Sequence, residues 1–227
     1  MEIQEISERF PIFNTANPET LEWFLSVIDQ EEYPPDTEIV QEDEWGKAVY
    51  FIVTGWVKVS SHYQGQQSTI EILGRGDFLG EMEILDESPK SIAAFSLSEV
   101  QLLSISAQRF LQMLFKDPQL HHRMLQLTVR RVRLLYRRIQ LHQQPPKIKL
   151  AKTLIKLAEI YGKSTEKGIE IWCIANQDLA DIADIPLEDL QQIMNQLQSQ
   201  GCLDIDQVNQ TLSLTNIKQI HHFSQQL

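Results

Sequence analysis

The stretch "NQDLADIADIPLEDLQQIMNQLQSQG", Asn176 to Gly201, holds side chains that could read the edges of base pairs. Glutamine and asparagine amides pair with adenine, and a glutamate accepts from cytosine. Leu179, Ile182, Leu190, Met194 and Leu197 form the inward stripe of two short helices. The outward face of the second helix is then Leu187, Glu188, Gln191, Gln192 and Asn195. Asn176 is placed to cap the first helix, Asp184 and Ile185 form the turn, and Pro186 begins the second helix. The spacing is that of a helix-turn-helix, whose second helix enters a major groove.

Its charge works against that use. From Gly168 to Ile217 there is no lysine or arginine, and there are eight acids: Glu170, Asp178, Asp181, Asp184, Glu188, Asp189, Asp204 and Asp206. DNA affinity comes mainly from neutralising phosphates and releasing counterions. Carboxylates within a Debye length of phosphate oppose it. Cations would have to come from the flanks, at Lys147, Lys149, Lys152, Lys156, Lys163, Lys167 and Lys218. DNA binding is thus possible but disfavoured by charge. RNA polymerase or another protein partner is the competing occupant.

Other chemistries find less support. No nucleophile–base pair or phosphate-hydrolysing constellation is visible, so an enzyme is not expected. Two cysteines, Cys173 and Cys202, cannot hold an iron–sulfur cluster within one chain. His62, His121 and His122 lack metal-ligand spacing with other donors. Two thiols and an acidic N-terminus without a targeting pattern point to a reducing cytoplasm. No apolar run is long enough to span a bilayer. The net charge of −11 argues against a simple coat for nucleic acid or anionic membrane.

The elements that must position these residues follow from periodicity. "NPETLEWFLSVID" predicts a short helix with Asn17 as cap and Leu21, Phe24, Leu25 and Ile28 on one stripe. From about Tyr33 to Ile105, β-rich runs alternate with glycine-bearing turns, which implies a closed roll or sandwich. Gln119 to about His142 reads as one long helix. Leu125, Thr128, Val132, Leu135 and Ile139 form a coiled-coil-like seam on it, and Leu127, Leu134 and Leu141 a second stripe. Such a helix can pack on its own β-roll and on a second copy, giving a homodimer. Its arginines solvate outer faces or pair with the acidic β-roll. Pro145 and Pro146 end the helix and act as a hinge. Beyond them lie an amphipathic helix ended by Gly162, a strand, the two reading helices and a hairpin turning near Gln207 to Gln210, the parts of a winged helix. The division is residues 1–117, a sensing β-roll; 118–146, dimerisation helix and hinge; and 147–227, the winged helix. The fold class is α+β.

The order of these parts resembles the cyclic-AMP receptor protein / fumarate-nitrate regulator (Crp/Fnr) family of bacterial transcription factors. Three pieces carry the resemblance: "GRGDFLGEMEILDESPKSIAA", similar to the family's phosphate-binding cassette; the seam helix; and "KLAKTLIKLA" followed by the helix-turn-helix. The resemblance implies a ligand pocket in which backbone N–H groups and an arginine meet a phosphate, a glutamate accepts a ribose hydroxyl, and a serine adds a hydroxyl. Gly80, Glu81 and Ser91 match. Lys90 stands at the arginine position, keeping the charge without the planar fork. The base-contacting positions align with Leu134 and Leu135, which offer no hydrogen bond. At the positions matched by Leu187 and Gln192 the family usually has arginine. These departures disfavour a cyclic nucleotide. They leave another small effector, or a turn that holds no ligand.

Overall fold

The computed structural model describes residues 2–41, 46–63, 66–86 and 92–225. It divides into two units, residues 1–135 and 136–227. The first unit begins with helix α1 (Ile3–Arg9), a 3-10 turn (Pro11–Phe13) and helix α2 (Pro18–Val27). Strands β1 (Asp29–Tyr33), β2 (Glu38–Val40), β3 (Ala48–Thr54), β4 (Val57–Tyr63), β5 (Gln66–Leu73) and β6 (Phe78–Leu79) follow. Then come helix α3 (Glu81–Asp86), strands β7 (Ile92–Ser96) and β8 (Val100–Ser106), and helices α4 (Ala107–Lys116) and α5 (Pro118–Leu141).

Two antiparallel four-stranded sheets, ordered β1-β8-β3-β6 and β2-β7-β4-β5, make the β-roll. Strand side chains alternate between faces, and the central strands bury both. Val49, Phe51 and Val53 of β3 face the helices, whereas Ile52 faces the other sheet. Leu103 and Ile105 of β8 do the first, and Val100 and Leu102 the second. That double burial explains why these runs read as almost continuous apolar sequence with only partial alternation. Phe51 is the hub on the helical side. The rings of Phe10, Phe13, Phe24 and Phe78 have centroids 5.4, 5.3, 5.4 and 5.7 Å from its own. Contacts of this kind add about 0.5–1.5 kcal/mol each beyond area burial.

Asp117 fixes where α5 begins. It is fully buried and precedes Pro118. Its Oδ1 accepts the N–H groups of Gln119 and Leu120, at 3.0 and 3.1 Å, and its Oδ2 accepts the N–H of Asn17 at 2.7 Å. One carboxylate thus caps α5 and anchors the entry to α2. Asn17 does occupy the N-cap position of α2, but its side chain makes no cap bond, contrary to expectation. Burial alone would raise the Asp117 carboxyl. The donors at Asn17, Leu120, Thr20 and Gln119 outweigh it and hold the group below its ordinary value.

The second unit holds the end of α5, helix α6 (Pro146–Tyr161), strands β9 (Lys163–Thr165) and β10 (Gly168–Trp172), and helices α7 (Asn176–Ala183) and α8 (Leu187–Ser199). Strands β11 (Asp204–Asp206) and β12 (Thr211–Leu214) and helix α9 (Ile217–Gln225) complete it. The sheet order is β11-β12-β10-β9. The wing turns where the sequence places it. Asp206 accepts the N–H groups of Val208 and Asn209, both at 3.0 Å. Helices α1, α4 and α9 and strand β9 are additions to the sequence reading. α9 buries Ile220 and carries the Phe223 ring, over which the Lys147 ammonium lies at 3.9 Å.

The turn between α7 and α8 is built on Asp184, a non-glycine residue in the left-handed region at φ 56°. Asparagine and aspartate tolerate that conformation better than other residues with a Cβ. Lys149 Nζ donates to the carbonyl and to Oδ2 of Asp184, each at 2.8 Å. His142 Nδ1 lies 2.7 Å from the same Oδ2, and Arg138 donates to the Asp181 carbonyl at 3.2 Å. Three basic side chains therefore gather at the negative end of α7. This corrects one expectation. Lys149 is buried in this cluster, so it does not serve as a flanking cation. Pro145 and Pro146 start α6 between His142 and Lys149, both of which contact the Asp184 carboxylate. Asn176 is the first residue of α7, and the cap position falls to Ala175.

Burial would raise the Asp184 carboxyl too, but the bonds and charges of Lys149 and His142 lower it. Both aspartates have folded values below the ordinary 3.8, so their stabilisation is fully present above that pH and is lost as pH falls through the lowered values. Asp117→Ala should cost about 2 kcal/mol, with Asp117→Asn milder, and should shrink the loss of stability seen in acid; denaturant melts at pH 7 and pH 3 check this. Asp184→Ala should cost about 2 kcal/mol, from left-handed strain and an unpaired Lys149, discounted because the carboxylate is half exposed. Asp184→Asn should retain the backbone part. Denaturant melts of the two variants resolve the difference.

Candidate functional site: the β-roll pocket and the reading helix

The pocket is built by one chain reversal. After β5, the turn at residues 74–77 closes on itself, with Asp77 Oδ2 accepting the Gly74 N–H at 2.9 Å. The Ile52 N–H bonds the Asp77 carbonyl at 2.9 Å and the Gly76 N–H bonds the Ile52 carbonyl at 3.0 Å. Strand β6 then pairs with β3 and delivers Gly80 to the start of α3. Gly80 has φ 95°, and a Cβ there would sit 2.4 Å from the Ala48 carbonyl oxygen, so no other residue fits.

Glu81 follows at 1% exposure. Its Oε1 is met by Nη1 of Arg131, from α5. Nη2 of Arg131 donates to the Phe78 carbonyl at 3.0 Å, and the guanidinium carbon lies 4.8 Å from the Phe78 ring centre. One planar fork thus serves a carboxylate, a carbonyl and a π-face, a combination open to arginine and closed to lysine. The pocket beside this pair has a volume of about 100 Å³. Ligand clefts for drug-sized molecules start at roughly 300 Å³. A nucleotide would therefore require the pocket to open.

Gly80 and Glu81 line this pocket as expected. Lys90 and Ser91 lie outside the described residues. Leu134 and Leu135 are not among the lining residues. Arg131, one helical turn earlier, takes the pocket-facing position, while Leu135 is 57% exposed. Sequence reasoning had grouped Arg131 with the other arginines as a surface residue or a partner for the acidic β-roll. The second alternative holds for it, and its place three residues before Leu134 on the inward stripe was the available signal. Glu83, also in the lining, was not singled out.

The seam residues are uncovered within one chain. Leu125, Val132, Leu135 and Ile139 are exposed, as are Val129 and Tyr136 beside them. Thr128 uses its hydroxyl on the Met124 carbonyl at 3.0 Å. On α8, Leu190, Ile193, Met194 and Leu197 are buried, and Glu188, Gln191, Gln192 and Asn195 are exposed at spacings of three and four, with Leu187 half-buried at the end. The predicted reading face is therefore a real surface.

The structure also accounts for several of the acids. Asp184 is matched by Lys149 and His142, and Asp206 is used by the wing turn. Glu170 accepts from the Thr165 hydroxyl at 3.2 Å. Glu188 and Asp189 sit in the first turn of α8, where they favour the helix dipole. Exposed lysines remain at Lys152, Lys156, Lys163, Lys167 and Lys218. Burial raises both thiols, against Lys147 in the case of Cys202, so neither is an activated nucleophile. Among the described residues no cluster of histidine, cysteine and carboxylate could hold a metal, and no helix is long and apolar enough to cross a membrane.

Comparison with known proteins agrees with this architecture. Residues 30–117 match the cyclic nucleotide-binding domain. The cyclic AMP receptor protein of Thermus thermophilus is 26% identical over 194 residues, covering 84% of this chain and 87% of that protein. The CRP-like cAMP-activated global transcriptional regulator of Mycobacterium tuberculosis is 25% identical over 169 residues, 73% of this chain and 74% of that one. The structure of FixK2 from Bradyrhizobium japonicum superposes with a TM-score of 0.75 at 20% identity, over 88% of this chain and 99% of that one, which shows the shared fold. The relatives are regulators of transcription. A cyclic nucleotide-binding domain in the N-terminal unit, relatives aligned over most of their length and the shared fold support a regulator of the Crp/Fnr type.

Proposed function

We propose that the chain acts as a homodimeric transcription regulator. In this reading α5 forms the dimer seam, the β-roll senses a small effector other than a cyclic nucleotide, and α8 contacts DNA through Glu188, Gln191, Gln192 and Asn195. The observation that carries it is the row Leu125, Val132, Leu135 and Ile139, exposed along one side of a 24-residue helix at heptad spacing. Apolar side chains set out this way on an acidic chain call for a partner, and a second copy offers the same row. The pocket supports the effector part. Its small volume disfavours a nucleotide, although two relatives are named for cyclic AMP. Phosphate contacts would fall to Lys152, Lys156, Lys163, Lys167 and Lys218. Few such contacts mean modest affinity and a shallow salt dependence.

A second reading is favoured by the wing. Its strand residues Asp204 and Asp206 are acidic, and Val208 at its tip is 92% exposed. An apolar tip between carboxylates suits a basic protein surface better than a phosphate backbone. In this reading the winged helix docks RNA polymerase or another protein.

Leu135→Glu places a charge in the proposed seam and should convert the dimer to monomer in sedimentation velocity; a variant that still sediments as a dimer refutes the seam. Low-salt fluorescence anisotropy against a pool of genomic fragments tests the DNA reading directly. Gln191, Gln192 and Asn195 changed together to alanine should weaken specific binding by about a hundredfold or more, at about 1–3 kcal/mol per lost base contact. Unchanged occupancy, or no binding by wild type even at low salt, would turn the function to the protein partner.

A further inference from the structure

The amides on the outer face of α8 are uncommitted. Gln191, Gln192 and Asn195 are exposed, and among the described residues none of their side chains bonds within the chain. Other amides of the same unit are used internally. Gln177 on α7 donates to Asp181 Oδ1 at 2.8 Å, and Asn209 in the wing donates to Asp206 Oδ2 at 2.7 Å. Leu190, Ile193, Met194 and Leu197 bury the opposite side of α8, which fixes its rotation about its own axis. Glu188 and the three amides then fall within an arc of about 100°. From Glu188 to Asn195 the face runs about 10 Å, the length of about three base-pair steps.

This face carries no cation of its own. From Gly168 to Ile217, which spans α7, α8 and the wing, there is no lysine or arginine. The basic side chains that reach α7 and its turn are held there, Lys149 on Asp184 and Arg138 on the Asp181 carbonyl. The consequence lies in the chemistry of the major groove. Guanine shows two acceptors, N7 and O6, and its match is a side chain with paired donors, arginine or lysine. Adenine shows the N7 acceptor beside the N6 amino donor, and one amide answers both with its NH2 and its carbonyl. An amide turned to guanine brings one nitrogen to two acceptors and leaves its carbonyl unanswered. A carboxylate is repelled by both acceptors and finds its own match in the cytosine amino group.

We infer that α8 selects adenine over guanine: an operator half-site for this chain holds adenines at two or more of about four consecutive positions, read by Gln191, Gln192 and Asn195, with cytosine beside them at Glu188. The inference rests on reading α8 as the DNA-contacting helix and gives that helix its sequence class. Each amide–adenine pair leaves no donor or acceptor of the side chain unmatched, so discrimination comes from hydrogen bonds and needs no charge. The face thereby separates specificity from the electrostatic affinity that it lacks.

Selection of duplexes from a random library by the full-length protein at low salt gives the preferred site. Anisotropy titration of that site and its single-pair variants then tests it. Adenines should be enriched as stated, and replacing a read A·T pair by G·C should weaken binding by about tenfold or more. Replacing that adenine by 7-deazaadenine removes N7 alone and should also weaken wild type; an unchanged affinity would assign the preference to duplex shape and overturn the direct reading. Gln192→Arg supplies paired donors and should move the preference at its position from A·T to G·C. The readout is the ratio of affinities for the two duplexes, which added charge alone does not change. An unchanged ratio would overturn the role of Gln192. Selected sites that depend on guanine would keep the DNA reading and overturn this inference. An A·T preference that survives Gln191→Ala, Gln192→Ala and Asn195→Ala together would overturn the assignment to these amides. No binding of wild type to any duplex would overturn the DNA reading, and this inference with it.

Discussion

Arg131 lays its guanidinium against Glu81, the Phe78 carbonyl and the Phe78 ring, and each partner depends on a different part of the chain. Glu81 is in place because Gly80 lets the backbone pass within touching distance of Ala48. Phe78 is in place because β6 pairs with β3 and its ring joins the Phe51 cluster. Arg131 is in place because Asp117 fixes the first turn of α5, which sets the phase of every later residue on that helix. A buried ion pair of this kind contributes little net stability once desolvation is counted. What it does contribute is register, since a guanidinium with three committed partners tolerates no slip of α5 along the β-roll.

The C-terminal unit solves a different problem with the same means. Its reading helix carries no cation, so its turn is held from behind by Arg138, His142 and Lys149 rather than by anything that would face a ligand. The acids that look hostile to DNA in the sequence are therefore not equivalent. Some hold the unit together, two cap a helix dipole, and fewer are left on the outer face.

The long helix, the β-roll, the winged helix and both faces of α8 were legible in the sequence because each rests on a period of apolar residues. The strands of the roll were harder to delimit, since β3 and β8 bury both faces and lose strict alternation. Helix α1 and strand β9 are too short for a period to emerge, and α9 offers little more than Ile217 and Ile220. The cap at Asn176 was misplaced by one residue, and Asn17 holds the cap position without a side-chain bond, because residue type marks a candidate while the cap bond is a geometric relation that a distant Asp117 can take over. Arg131 and Glu83 escaped for a related reason. Both are charged residues drawn toward the pocket by tertiary packing; Arg131 shares the inward stripe with Leu134 but its charge masks it, and Glu83 has no period to announce it.

Arg131 and Val132 are neighbours in sequence, one turned to the pocket and the other exposed on the seam. If α5 forms the proposed seam and the pocket takes an effector, one helix serves both equilibria; should displacement of Arg131 shift the seam, then by reciprocity covering the seam changes the affinity of the pocket by the same factor. Protein concentration would then act on the pocket by mass action.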